Sequence, residues 1–143
     1  MNACRSFGVV CLFSVCSAAL GQVTASAKAE ALQAFEALQG AAGAQFERCR
    51  QAARALFLQG DANWDCMQMG KAAVSEKYAD VKGRVAGDQG IVAALEDYAA
   101  SALTAFDDLR PRSLEREADY EARVGGVQSD LRKRANIVRL RMQ

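Results

Sequence analysis

Hydrophobic residues recur along most of the chain at intervals of three and four positions, the spacing of one face of an α-helix. The first series has Gln39 as its one polar member and otherwise consists of Leu32, Phe35, Ala42, Phe46, Cys49, Ala53 and Leu56. It predicts a first helix over about 27–58. Gly40 and Gly43 each disfavour a helix by about 1 kcal/mol relative to alanine, so the sequence leaves open whether they divide it in two.

Two more helices are predicted in the middle of the chain. The second, about 64–86, is weakened near its start by Gly70 and has its apolar face at Met67, Val74, Tyr78, Val81 and Val85. The third, about 91–109, has the most regular spacing, with Val92, Leu95, Ala99, Ala102, Phe106 and Leu109. Asp88 is predicted to cap this third helix, and Pro111 is predicted to end it.

A fourth helix is predicted over about 114–141, with Ser113 as its cap and Gly125-Gly126 as a hinge or kink. Its apolar face would consist of Leu114, Ala118, Val124, Leu131, Ala135, Val138 and Met142. No alternating pattern typical of a β-strand occurs. Four amphipathic helices with short connections predict an all-α fold, a small antiparallel helical bundle after an N-terminal apolar leader.

The first 27 residues have the layout of a cleavable signal peptide. One positive charge at Arg5 precedes an apolar stretch over 7–20. Ala25-Ser26-Ala27 is a small-residue cleavage site, and Ala19-Leu20-Gly21 is an earlier candidate. This pattern predicts an exported protein, periplasmic or secreted, in which residues 28–143 form one helical domain with a basic C-terminal end.

Two alternatives to a signal peptide remain for this leader. It could be retained as a membrane anchor, although its apolar stretch is marginal against the roughly 20 residues that a membrane span needs. It could also be a mitochondrial presequence, because acidic residues are absent from it.

Cys49 and Cys66 are candidates for a disulfide. The other three cysteines lie in the leader: Cys4, Cys11 and Cys16. If the leader is removed, an even number remains for an oxidising compartment. A straight helical hairpin, however, would separate Cys49 and Cys66 by roughly 12 Å along its axis, whereas a disulfide needs Cα atoms about 4.4–6.8 Å apart. The bond would then require the first helix to break near Arg54, so both outcomes stay open.

The sequence offers no catalytic or metal-binding constellation. It contains no histidine, which excludes Ser–His and Cys–His nucleophilic pairs and histidine-ligated zinc. Residues 61–65 begin like a calcium-binding EF-hand loop, but Cys66 stands where glycine is needed and Ala72 where glutamate is needed. We therefore expect neither an enzyme nor a bound cofactor.

Charge is unevenly distributed although the net charge is only +1. Residues 88–121 hold nine acids against three bases, and residues 122–143 hold six bases against one acid. The candidate partner-binding residues are Arg132, Lys133, Arg134, Arg139 and Arg141. They either fold back on the acidic third helix and the start of the fourth, or bind an acidic protein or an anionic membrane surface. No aromatic residue interleaves them, so nucleic acid is not expected.

The sequence therefore favours a non-enzymatic, exported interaction or adaptor protein that binds a protein partner through its last helix and basic end. One alternative is an accessory structural subunit of a membrane-associated complex, of which a mitochondrial complex is one case, with a retained N-terminal segment. Another is an exported enzyme inhibitor that uses the turn around Trp64. No small-molecule substrate is evident, because the helical pattern gives no sign of unfilled space.

Overall fold

The computed structural model describes residues 24–59 and 65–143 of the chain. The helices are α1 (Ala25–Gln59), α2 (Asp65–Arg84), α3 (Gln89–Asp107) and α4 (Glu117–Met142). Within these two described ranges no β-strand occurs, and the predicted all-α fold is confirmed. Most of the predicted leader lies outside the described residues. Its last four residues are described, and the last three of them, 25–27, begin α1. No helix in the described ranges combines the length and the apolar character needed to cross a membrane.

Neighbouring helices run in opposite directions. Lys71, near the start of α2, pairs with Asp107 at the end of α3, and Lys82, near the end of α2, lies 2.7 Å from Glu96 closer to the start of α3. The same reversal holds between α1 and α2, between α3 and α4, and between α4 and α1. The four helices therefore form a closed antiparallel bundle.

The core of the bundle consists of aliphatic side chains and a few aromatic rings. Its largest fully buried members are Tyr120, Phe35, Phe106, Leu38, Ile91, Leu95, Leu109, Val74, Val81, Val85, Val124 and Val138. The rings of Phe35 and Tyr98 meet edge to face with centroids 5.1 Å apart. Aromatic pairs of this geometry contribute about 0.5–1.5 kcal/mol beyond the burial of their area.

The apolar faces predicted from the sequence include only part of this core. Four buried residues belong to none of the predicted apolar faces: Ala31 and Leu38 of α1, Tyr98 of α3 and Tyr120 of α4. A helix in a closed bundle faces two neighbours, so its buried surface is wider than one row of residues spaced by three and four.

The glycines in α1 and α4 do not end these helices. Helix α1 is continuous through Gly40 and Gly43, and α4 is continuous through Gly125 and Gly126. The question that the sequence left open is therefore answered: the first helix is not divided. Packing of an amphipathic face stabilises a helix more than the intrinsic preference of single residues does, so a glycine that costs about 1 kcal/mol can be tolerated.

Local signals located the start of α3 but not the start of α4. Asp88 caps α3 as predicted, because its Oδ1 accepts hydrogen bonds of 3.0 and 3.1 Å from the backbone N–H groups of Gly90 and Ile91. Ser113 and Leu114 instead lie in the connection before α4, and Leu114 is 99% exposed with φ 62°. The predicted cap and the first predicted core position of the last helix are therefore wrong.

An ion pair between Arg123 and Glu115 stabilises the connection between α3 and α4, and α4 begins after it. Nε and Nη2 of Arg123 each donate to a different oxygen of the Glu115 carboxylate at 2.7 Å. Nη1 of Arg123 also donates to the carbonyl oxygen of Asp108, and the backbone N–H of Arg112 donates to Glu115 at 2.9 Å. These hydrogen bonds, those from Arg123 above all, lower the pKa of Glu115 to about 2. Residues 108–116 are thus held as a structured connection rather than as the first turn of a helix.

Candidate functional site

Two of the five predicted partner-binding residues form ion pairs with neighbouring helices. Arg134 pairs with Asp97 of α3. Arg139 donates from Nε and Nη2 to the two carboxylate oxygens of Glu36 in α1, at 2.5 and 3.0 Å. The hydrogen bond from Arg139 holds the pKa of Glu36 below its usual value. Both pairs join α4 to the rest of the bundle. The pair of Arg134 lies on the third helix, where the sequence suggested that the basic end folds back, whereas the pair of Arg139 lies on α1.

The other three predicted residues are not paired with an acid of another described helix, although Nη1 of Arg141 lies beside Gly90 at the start of α3. Arg132 and Arg141 have no ion-pair partner within the part of the chain that the structure describes. Lys133 lies 2.9 Å from Asp130, one turn earlier on the same helix, and both side chains are exposed. An exposed pair of this kind contributes only about 0–1 kcal/mol, so Lys133 can exchange Asp130 for another acid at little cost.

Two apolar side chains lie on the exposed side of α4 beside these cations. Ile137 is 48% exposed and Leu140 is 71% exposed. Ile137 follows Lys133 by four residues and precedes Arg141 by four, so these side chains occupy neighbouring turns of one helix face. We call Lys133, Ile137, Leu140 and Arg141 the outer face of α4. The sequence indicates this face, because Ile137 and Leu140 are large apolar residues that do not belong to the predicted apolar face of the fourth helix.

Helices α1 and α4 are joined firmly at one end of their contact. Arg50 of α1 pairs with Glu121 of α4, and Nε of Arg54 lies 2.9 Å from the same carboxylate. The ring of Phe57 packs against that of Tyr120 with centroids 5.3 Å apart. At this end the two helices are held together by both charge and ring packing.

The other end of the α1–α4 contact is joined by Arg139. Its guanidinium bonds to Glu36, as described above, and also donates to the side-chain oxygen of Gln39. Between the two ends, the facing residues of α1 are the small Ala42 and Gly43, and a Cβ atom built on Gly43 would meet nothing within 4 Å. The helices therefore enclose open space in the middle of their contact.

This space is a groove of about 240 Å³ between α1 and α4, with α3 beneath it. Its floor is apolar and contains the rings of Phe46 and Phe106, which meet edge to face with centroids 5.8 Å apart. Its polar lining residues include Gln128 and Arg132 of α4. Sequence reasoning missed the groove, because it follows from small side chains on one helix that face a separate helix far along the chain.

The two candidate disulfide cysteines lie side by side as free thiols. Cys49 is buried and Cys66 is half-buried. Burial, and then a hydrogen bond with the Cys66 thiol, raises the pKa of Cys49 to about 12. Nε2 of Gln45 lies 3.7 Å from the sulfur of Cys49 and donates to the carbonyl oxygen of Cys66 at 3.1 Å. This contact sets the register between α1 and α2.

The cysteines are neighbours although α1 does not break at Arg54, so the geometric objection to their pairing was wrong. It assumed that α2 starts level with the end of α1. Instead, Cys49 lies level with Cys66, and α1 continues for ten more residues to Gln59. Its end therefore lies about 15 Å beyond Cys66 along the helix axis. The connection 60–64 lies outside the described residues, but a chain of that length can reach about 20 Å. The disulfide itself stays a prediction.

The described residues form no metal site, and the turn predicted for an enzyme inhibitor is not among them. Within 24–59 and 65–143, no group of three or more cysteine, aspartate or glutamate side chains is arranged to hold a metal ion. Trp64, the contact expected of an enzyme inhibitor, lies outside the described residues.

The fold defines this protein as an antiparallel four-helix bundle, and its two notable surfaces are the outer face of α4 and the groove between α1 and α4. No protein-family model matches the chain, and comparison with curated proteins and with solved structures gives no match either.

Proposed function

We propose that this chain is a non-enzymatic interaction protein that binds an acidic protein partner through the outer face of α4. The observation that carries the proposal is the exposure of Ile137 and Leu140 on a helix face that also presents Lys133 and Arg141. The opposite face of the same helix packs into the core, so the outer face is free for docking.

The composition of this face suits a protein–protein interface. Burial of apolar surface provides about 25 cal/mol per Å², so two large aliphatic side chains supply a favourable centre for a contact. A polar rim normally surrounds such a centre, and here Lys133 and Arg141 provide it. The cations would accelerate encounter with an acidic partner and would fix its orientation.

Export is part of the proposal and depends on the leader. Its support is the layout of residues 1–27, with a single positive charge, an apolar stretch and a small-residue cleavage site. An accessory subunit of a membrane-associated complex could use the same outer face but would keep its N-terminal segment. The intact mass of the natively expressed protein distinguishes these two settings.

The experiment is site-specific photo-crosslinking in the native source. A photoreactive amino acid replaces Leu140, and a control protein has the same group at Ala79, an exposed position of α2. We expect one discrete crosslinked protein from position 140 and none from position 79. The crosslink should weaken as salt is raised from about 0.05 to 0.5 M, because screening weakens attraction between exposed charges.

A matched variant then tests the apolar centre. Ile137→Ser with Leu140→Ser should abolish co-purification of the crosslinked protein, whereas the exposed control Ala72→Ser in α2 should not. Substitution is preferable to truncation of α4, because Ala135, Val138 and Met142 near its end are buried in the core. Unchanged co-purification would refute the proposal. Binding to anionic vesicles through the same side chains, with no crosslinked protein, would replace the protein partner with a membrane surface.

A further inference from the structure

The groove between α1 and α4 is a ligand site of a different kind from the outer face. We infer that it binds a small amphipathic carboxylic acid, whose apolar part lies on the Phe46–Phe106 floor and whose carboxylate pairs with Arg132. The inference is independent of the proposed docking function. Arg132 precedes Lys133 by one residue on α4, so the two side chains point about 100° apart around the helix.

The floor of the groove favours an apolar group over water. Its centre is formed by Phe46, Ala102 and Phe106, whose side chains offer only carbon atoms, and the buried Tyr98 lies beside them. Water is retained in a cavity only where it finds several polar partners, whereas apolar cavities bind apolar ligands. A cavity of about 150 Å³ accommodates benzene. A groove of about 240 Å³ therefore suits an alkyl chain of moderate length or a ring that carries a short chain.

The rim of the groove favours an anionic head group. Arg132 has no ion-pair partner among the described residues, while the nearby cation Arg139 is neutralised by Glu36. A guanidinium presents parallel N–H donors that match the two oxygens of a carboxylate. The side-chain amides of Gln39 and Gln128 also line the groove and supply polar atoms beside the head group.

The groove is formed before any ligand arrives. Arg50 with Glu121 and Arg139 with Glu36 join α1 to α4 on either side of it, and Gly43 leaves its centre open. A site that needs no rearrangement avoids the ordering cost of binding. A small ligand can therefore bind although the groove is modest in size.

The first test compares two probes of the same length, octanoate and its neutral analogue octanamide, by titration of the purified protein with NMR detection. We expect octanoate to shift the signals of Gly43 and Leu131. It should bind about two- to fivefold more tightly than octanamide, the ratio expected for one exposed ion pair. Arg132→Gln should remove this preference. Arg48→Gln, an exposed arginine of α1 that does not line the groove, should keep it.

The second test fills the groove without weakening the fold. Gly43→Leu places a side chain in the open space, and Gly40→Leu makes the same change one turn earlier, outside the groove. Both should stabilise α1, because leucine is the better helix former. Only Gly43→Leu should abolish octanoate binding. Equal binding by the two variants, equal affinity for the two probes, or no octanoate binding by the wild-type protein would each overturn the inference.

Discussion

Gly70 of α2 lies directly against the ring of Phe106 of α3, at a separation that leaves no room for a side chain at position 70. Gly70 is buried, and the same ring packs edge to face on Phe46 of α1. The sequence presented Gly70 only as a weak point near the start of a helix. In the folded protein its missing side chain lets α2 approach α3 and positions one ring of the groove floor.

Replacement of Gly70 by alanine should therefore destabilise the protein. Alanine is favoured over glycine in a helix by about 1 kcal/mol, but overlap of its Cβ with the buried ring should cost about 1–3 kcal/mol. We therefore expect a net loss of stability of up to about 2 kcal/mol. Gly83→Ala is the matched control, because a Cβ at Gly83 of α2 meets nothing within 4 Å and should only stabilise. Urea unfolding followed by circular dichroism measures both variants. Equal stability of the two would contradict the packing described for Phe106.

The connection between α3 and α4 should depend on the charge of Glu115. Its pKa in the folded protein is about 2, below its ordinary value of 4.5, chiefly because of the hydrogen bonds from Arg123. A lowered pKa stabilises the fold above pH 4.5, and this contribution is lost as the pH falls towards 2. Glu115→Gln should cost about 1.5–3 kcal/mol at pH 7, the range for hydrogen bonds to charged groups.

Thermal unfolding of both proteins between pH 7 and pH 2 checks this prediction. The difference in stability between wild type and Glu115→Gln should narrow from about pH 4.5 downward and nearly vanish at pH 2. Glu76→Gln is the control, because Glu76 is exposed and forms no ion pair within the described part of α2. A difference that stays constant with pH would mean that the Glu115 carboxylate is not what holds the connection.

Cys49 and Cys66 should form a disulfide when the purified protein is incubated with oxidised glutathione. Their two thiols would lose two hydrogens, and one glutathione disulfide would be reduced to two thiols. The half-buried Cys66 should react first, because the pKa of about 12 makes the thiolate of Cys49 scarce. The closed loop should stabilise the protein by about 3 kcal/mol in the chain-entropy model.

Peptide mapping by mass spectrometry measures the product, and urea unfolding with and without reductant measures the stabilisation. Mapping assigns the bond to Cys49 and Cys66 separately from the cysteines of the leader. The Cys66→Ser variant should show no such bond and no effect of reductant. A stable glutathione adduct on Cys66, with Cys49 still free, would show that the two sulfurs cannot approach each other closely enough to bond.

Much of the fold is encoded locally and was predicted from the sequence. Spacings of three and four placed four helices within a few residues of their observed ends. Asp88 caps α3 through groups only two and three residues away, so the cap could be recognised without tertiary structure. The start of α4 was mistaken because Arg123, eight residues beyond Glu115, decides the conformation of the connection.

The candidate surfaces depended on which residues of different helices meet. Gly70 and Gly43 are the same residue type, yet one lies against a ring and the other borders an open groove. Arg139 and Arg132 belong to one basic run, yet only Arg139 reaches an acid on α1.

The sequence by itself determined the four helices, the cap of α3 and the inward side of each helix, because these follow from interactions within a few residues. Tertiary structure decided that α1 extends beyond the level of Cys66 and contacts α4 there. It also decided that a groove lies between α1 and α4, and which cations of the described residues form no ion pair. Helical periodicity specifies the face of a helix that turns inward. It does not specify which distant side chain lies opposite, because that depends on how the volumes and charges of all four helices fit together.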